Sequence, residues 1–164
     1  MSETSLTKDI QNSVKWHCHN AQRLCAMPNT FWRGYECDIL SLSKGETVFE
    51  YEIKISRADF LKDFKKGVYN NEFFVDSGWK KTPIELKHQT TRSHYFYYVC
   101  PVGLISPEEI PEKYGLIYYH ENTRTAFNAL KIIKKAKMIK ADKPTHDEII
   151  GLFNLSKYKN QFYS

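Results

Sequence analysis

A chain of 164 residues with 41% hydrophobic and 15% aromatic side chains can bury one core, is cramped for two, and is too rich in Phe and Tyr to stay disordered. Its apolar runs are strand-sized, far short of the roughly 20 residues of a membrane span, and the opening MSETSLTKDIQNS lacks the basic-then-apolar layout of a secretory signal, so a cytoplasmic location is expected. The formal charge of +5 is modest but unevenly spread: Lys131, Lys134, Lys135, Lys137, Lys140 and Lys143 crowd one stretch, and Lys62, Lys65, Lys66, Lys80, Lys81 and Lys87 another. Such patches suit a polyanion such as nucleic acid, and a solvated lysine surface accounts for them equally well.

Leu6, Ile10, Val14, His17, Ala21 and Leu24 recur at spacings of four and three, which predicts a helix over 6–26 that Pro28 ends. Two strands follow, at 35–42 and 47–55, with Ser43-Lys44-Gly45 as a tight hairpin turn. Ser56 caps a short helix from Arg57, answered by Asp59; Phe60, Leu61 and Phe64 form its buried face and Gly67 its stop. Residues 69–93 are polar and irregular apart from a short helix at 83–88, and so long a connection tends to be functional or mobile. The aromatic, β-branched run 94–100 is the strongest strand; its aromatics read as core, and His94 as a structural histidine. Then come a helical turn at 107–110 and a strand at 115–120. Residues 124–137 fit a basic helix or a strand paired back onto 115–120. Pro144 and the capping box Thr145-His-Asp-Glu148 announce a last helix near 146–156. This order describes one mixed α/β domain over 1–164, with a core at about 5–137 and a helical extension at about 138–164.

Four cysteines lie at no paired spacing. His17-Cys18-His19 with Cys25 invites a zinc reading but lacks the spacings that close a tetrahedral site. Reduced thiols packed as small apolar groups are the expectation.

The chemistry gathers around Asp38 and the run Glu50-Tyr-Glu52-Ile-Lys54. Along a strand, Glu50, Glu52 and Lys54 share one face and Phe49, Tyr51, Ile53 and Ile55 the other. Charges on a central strand must be paired or bound to metal. A three-residue loop with Gly45 in the left-handed position pairs Leu42 with Glu46, which sets Asp38 opposite Glu50 and diagonal to Glu52. Two carboxylates and a main-chain carbonyl form a hard oxygen site suited to Mg²⁺ or Mn²⁺.

Asp38 followed by Glu52-Ile53-Lys54 resembles the core motif of the PD-(D/E)XK nuclease superfamily. The surroundings are similar to its MmcB-type DNA-repair branch and phage-encoded relatives. The likeness runs through Glu52-Ile-Lys-Ile-Ser-Arg-Ala-Asp-Phe60, Lys65-Lys66, Tyr95-Phe-Tyr-Tyr-Val-Cys-Pro101 and Ile110-Pro-Glu-Lys-Tyr-Gly-Leu-Ile117, roughly residues 33–137. It implies a restriction-endonuclease-like core, with a central mixed β-sheet flanked by helices, in a bacterial or phage-infected host cytoplasm. It also implies a metal-dependent deoxyribonuclease: Asp38, Glu52 and the Ile53 main-chain carbonyl hold Mg²⁺ or Mn²⁺, and Lys54 assists the attacking water. Pairing of two sites in a homodimer is common where both strands are cut.

Cys37 stands where the family name has Pro, and the acid often added from the first helix has only Asp9 to supply it, with Glu36 or Glu50 as substitutes. Arg57, Lys62, Lys65, Lys66, Lys87, Lys134 and Lys135 are the candidate nucleic-acid contacts. Two other readings stand beside the nuclease: a nucleic-acid-binding adaptor on the same fold without turnover, and a structural protein with a coincidental Glu-x-Lys.

Overall fold

The computed structural model describes residues 3–63, 67–70, 74–75, 78–79, 82–86, 92–121 and 128–161, with side chains described over 5–63, 92–121 and 128–155. Ile10, Val14 and Cys18, spaced by four, form the fully buried stripe of α1 (Glu3–Asn20). The helix stops earlier than its periodicity predicts. Gln22 adopts a left-handed φ of 52°. Its N–H donates to the His19 carbonyl (2.9 Å) and the Arg23 N–H to the Cys18 carbonyl (3.0 Å). That is a Schellman cap without glycine, so no sequence signal marked it.

Cys25 and Ala26, the last residues of the predicted helix, instead open strand β1 (Cys25–Trp32), an element the sequence reading did not assign. It pairs antiparallel with β2 (Tyr35–Leu42) through Arg33-Gly34, whose φ values of 45° and 109° make the type I′ turn that matches strand twist. Pro28 is tolerated because β1 is an edge strand.

β2 then pairs antiparallel with β3 (Val48–Ile53). The connection is longer than the predicted three-residue turn. Leu42 pairs with Val48, Glu46 rather than Gly45 is left-handed (φ 61°), and Ser43 Oγ accepts the Thr47 N–H at 3.1 Å. The register is therefore two residues off the predicted one, and a shift of two leaves every side chain on its face.

Beyond β3 lie α2 (Arg57–Asp63) and two short antiparallel pairs, β4 (Gly67–Asn70) with β7 (Thr82–Leu86) and β5 (Phe74–Val75) with β6 (Gly78–Trp79). The predicted helix at 83–88 is thus strand as far as Leu86. Phe60 of α2 is buried but Leu61 is exposed, and Phe64 lies outside the described residues.

Two parallel steps follow, β3 to β8 (Tyr95–Pro101) and β8 to β9 (Gly115–Tyr119). Residues 107–110 are turns and bends rather than a helical turn. β10 (Leu130–Lys134) pairs back onto β9, so the ambiguous stretch 124–137 holds a strand at 130–134, while 124–127 lie outside the described residues. α3 (His146–Gln161) opens on the predicted box: the Glu148 N–H donates to Thr145 Oγ1 (3.2 Å) and the Thr145 N–H to Glu148 Oε2 (2.8 Å).

The result is an α/β fold with a six-stranded mixed sheet in the order β1-β2-β3-β8-β9-β10. On one face Ile10, Val14 and Cys18 of α1 pack on Ile39, Tyr51, Ile53, Val99 and Ile117. On the other, Phe60 of α2 joins Phe96, Tyr98, Tyr114 and Leu116, and Leu152 of α3 joins Leu40, Leu42 and Val48. Phe96 and Tyr98 are core, as read. The four cysteines are free thiols, three of them buried. Among the described residues no helix is long and apolar enough to cross a membrane.

Candidate active site

Strand alternation sends Glu52 and Lys54 to the same side at the C-terminal end of β3, where both are almost fully buried (2% and 1% exposed). Lys54 Nζ lies 2.9 Å from Glu52 Oε1, 3.3 Å from Asp63 Oδ1 and 3.7 Å from Asp59 Oδ2. The two aspartates arrive together because they stand four apart on α2, on one helical face. Ser56 starts that helix by accepting the Asp59 N–H on its Oγ (3.2 Å), the predicted cap. Phe60, packed edge-on against Tyr98 at 5.3 Å, presses the helix onto the sheet. Tyr98 then donates its hydroxyl to the other oxygen of Asp63 at 2.7 Å. Burial, and then the negative charge of Asp63, push that hydroxyl well above the usual tyrosine range, so it remains a donor.

Asp38 reaches the site by a different route. The β2–β3 ladder ends at Ile39 and Tyr51, and the next main-chain donor of β3 facing β2, the Ile53 N–H, is taken by Asp38 Oδ2 at 2.7 Å. β2 bends here. Asn29, which faces Asp38 across the β1–β2 register, is left-handed (φ 47°). Past the bend Tyr35 leaves the level of Ile55 that the β2–β3 register would give it, and its hydroxyl reaches Glu50 at 2.6 Å. Asp38 therefore turns its carboxylate toward the backbone of β3 rather than standing opposite Glu50, as the three-residue loop predicts. In an extended strand the N–H and C=O of one residue point the same way. The Ile53 carbonyl accordingly leaves β3 on the Asp38 side.

Asp38, Glu52, Ile53, Lys54, Asp59 and Lys62 line one cleft of about 430 Å³, together with Thr7 from the first turns of α1. Among the described residues, no three His, Cys, Asp or Glu side chains converge closely enough to hold a metal by themselves. Two carboxylates and a main-chain carbonyl fit Mg²⁺ or Mn²⁺ all the same, since such ions are usually held by one or two carboxylates with water and substrate phosphate completing the shell.

The remaining predicted site residues are scattered. Glu36 is exposed on β2 opposite Phe31. Asp9 is not among the cleft-lining residues; its negative charge, after burial, helps to push up the hydroxyl of Tyr119. Glu50 is buried and accepts hydroxyls from Tyr35 and Ser93. Arg57 forks onto both oxygens of Glu109 (2.6 and 2.8 Å), holding that carboxyl down to about 2. Lys134 Nζ donates to the carbonyls of Pro107 and Pro111, and Lys135 is exposed. Lys65, Lys66 and Lys87 lie outside the described residues. His94 is structural, its Nδ1 accepting the Val48 N–H at 3.1 Å. Sequence reading missed Asp63, and gave Asp59 only a capping role. The available signal was their i, i+4 spacing on a helix starting three residues after Lys54.

No family model and no curated protein sequence matches this chain. A solved structure does: the SPO1766 protein of unknown function from Silicibacter pomeroyi superimposes with a TM-score of 0.61 over 94% of this chain and 86% of that one, at 15% identity. The likeness is one of fold.

Proposed function

We propose that this chain is a Mg²⁺- or Mn²⁺-dependent nuclease that hydrolyses phosphodiester bonds of DNA, in repair, recombination or phage DNA processing. The observation that carries this reading is the meeting of Asp38, Glu52, Ile53 and Lys54 in one cleft at the end of β3. Asp38, Glu52 and the Ile53 carbonyl would hold the ion. When bound, it supplies positive charge that offsets charge developing on the phosphate and makes a water molecule more acidic. Lys54 is an ammonium with donors only, so it acts by orienting that water and by facing the developing charge, not by taking a proton. Glu52, Asp59 and Asp63 keep Nζ from swinging away. Water oxygen would bond to phosphorus as the phosphorus–oxygen bond to the leaving strand breaks, the water giving up a proton to solvent and the leaving oxygen taking one from it.

A second reading, a DNA-binding adaptor without turnover, draws on the internal pairing of the same groups: Lys54 with Glu52 and Asp63, and Asp38 with the Ile53 N–H. Cleavage of labelled single-stranded, duplex, flapped and four-way DNA in Mg²⁺, Mn²⁺ or EDTA separates the two. Metal-dependent cutting that Glu52→Ala and Lys54→Ala both abolish is the expected result. Tight binding without cutting, retained by both variants, establishes the adaptor instead.

A further inference from the structure

A second cavity, of about 610 Å³, is lined by Arg33, Arg92, Lys140 and Lys143 together with Asp142 and Glu148. It takes up Lys140 and Lys143, two of the six lysines of the stretch that the cleft at Lys54 leaves unused. It also lies near the opposite end of β3: Lys143 pairs with Glu46, two residues before Val48, and the Ile139 N–H beside Lys140 donates to the carbonyl of His94, whose ring accepts the Val48 N–H. Six residues of strand separate Val48 from Lys54, roughly 20 Å.

The four cations are not equivalent. Arg33 is fully engaged: its guanidinium meets both oxygens of Glu148 at 2.8 Å and the main-chain carbonyls of Asp142 (2.9 Å) and Lys143 (3.0 Å). It cancels Glu148 and fixes the backbone that carries the lysines. Lys143 makes an exposed pair with Glu46 at 3.3 Å, an interaction of little energetic weight. Arg92 and Lys140 remain. Among the described residues no acidic side chain pairs with either. Their backbones are nonetheless held: the Trp32 indole N–H donates to the Arg92 carbonyl (3.1 Å), and the Ile139 N–H beside Lys140 donates to the His94 carbonyl (2.8 Å). A half-buried guanidinium and an ammonium on fixed supports, facing one cavity where Asp142 is the one acid among the described lining residues that Arg33 does not cancel through its side chain, form a preorganised receptor for a small, strongly charged anion.

We propose that this cavity is a phosphate-binding site in which Arg92 forks onto two phosphate oxygens and Lys140 supplies a point charge. The phosphate belongs either to a free phosphate group or to a nucleic-acid backbone, and the site works independently of Asp38, Glu52 and Lys54.

The test is run in EDTA and in a Glu52→Ala background, so that failure of the nuclease reading does not touch it. Melting temperature is followed against inorganic phosphate, with chloride at equal ionic strength as control. Fluorescence anisotropy of a labelled twelve-nucleotide DNA is followed in parallel. Arg92→Gln/Lys140→Gln should abolish the phosphate-induced rise if free phosphate is the ligand, or weaken DNA binding about tenfold with a shallower salt dependence if the backbone is. Arg92→Lys/Lys140→Arg, which keeps both charges but gives up the fork at position 92, should bind more tightly than the double glutamine variant and more weakly than the parent. The single Lys140→Gln variant, at an exposed side chain, carries the same comparison should the double variant fold poorly. Unchanged phosphate and DNA responses in the variants, or no phosphate response with DNA affinity independent of both residues, would overturn the proposal.

Discussion

Glu50 and Glu52 stand two residues apart on one face of β3, and both are almost entirely shielded from solvent (0% and 2% exposed). Among the described residues Glu50 accepts from neutral donors, the hydroxyls of Tyr35 at 2.6 Å and Ser93 at 3.2 Å, brought in by the β1–β2 hairpin and the approach to β8. Burial first, and then the Glu50 charge, hold the Tyr35 hydroxyl well above its usual range, so it stays a donor. Glu52 meets an ammonium shared with two aspartates and borders a cleft. Alternation along a strand assigns a face. What the residue does there depends on which other segments arrive, and whether they close over it or leave room for a solute.

The comparison breaks most visibly at Lys54. Lys54→Met leaves Glu52 and Asp63 buried without their cation, which should cost about 3–5 kcal/mol in urea unfolding and reduce metal-dependent cleavage about 10²–10³-fold. Asp63→Asn sharpens the argument on the open side. It keeps the shape but loosens Lys54, so kcat should fall about tenfold to a hundredfold with KM little changed. A purely structural Asp63 would instead lower the melting temperature and spare kcat.

On the closed side, Tyr35→Phe removes the 2.6 Å hydrogen bond to Glu50 and should cost about 1–3 kcal/mol while leaving cleavage intact. The clamp that carries the same hairpin, Arg33 with Glu148, gives a pH-dependent version. The Arg33 guanidinium holds the Glu148 carboxyl below its ordinary value. Its stabilisation is therefore complete above the unfolded pKa, near 4.3, and is lost as pH falls through the lower folded value. Glu148→Gln should cost about 1–2 kcal/mol at pH 7 and progressively less in urea melts carried out in acid. The smallest effect belongs to Glu50→Gln: a change within about 1 kcal/mol, since an amide oxygen accepts the same hydroxyls, with cleavage unaffected. Loss of cutting in that variant would make the two glutamates alike and remove the distinction.

Much of the frame was legible because it follows from periodicity. β2 has its predicted bounds, the Thr145–Glu148 box starts α3, and Glu52 and Lys54 share a face. Several of the failures share a cause, non-glycine residues in left-handed conformations. Gln22 ends α1 early, Asn29 lets an edge strand bend past Pro28, and Glu46 lengthens the β2–β3 hairpin. None of these positions carries a glycine to announce it. The aim of the Asp38 carboxylate depends on that bend, so neither propensity nor alternation could supply it. Arg57 and Lys134 read as nucleic-acid contacts because charge is visible in sequence; the Glu109 carboxylate and the Pro107 and Pro111 carbonyls that engage them are tertiary.

The bond from the Ile53 amide to Asp38 has a spectroscopic consequence. An amide proton whose nitrogen lies 2.7 Å from a carboxylate oxygen resonates at unusually low field, and its position follows the charge on that carboxylate. One cross-peak in a nitrogen–proton correlation spectrum thus reports, without any label in the cleft, whether Asp38 has gained a proton, taken up an ion or let go of β3.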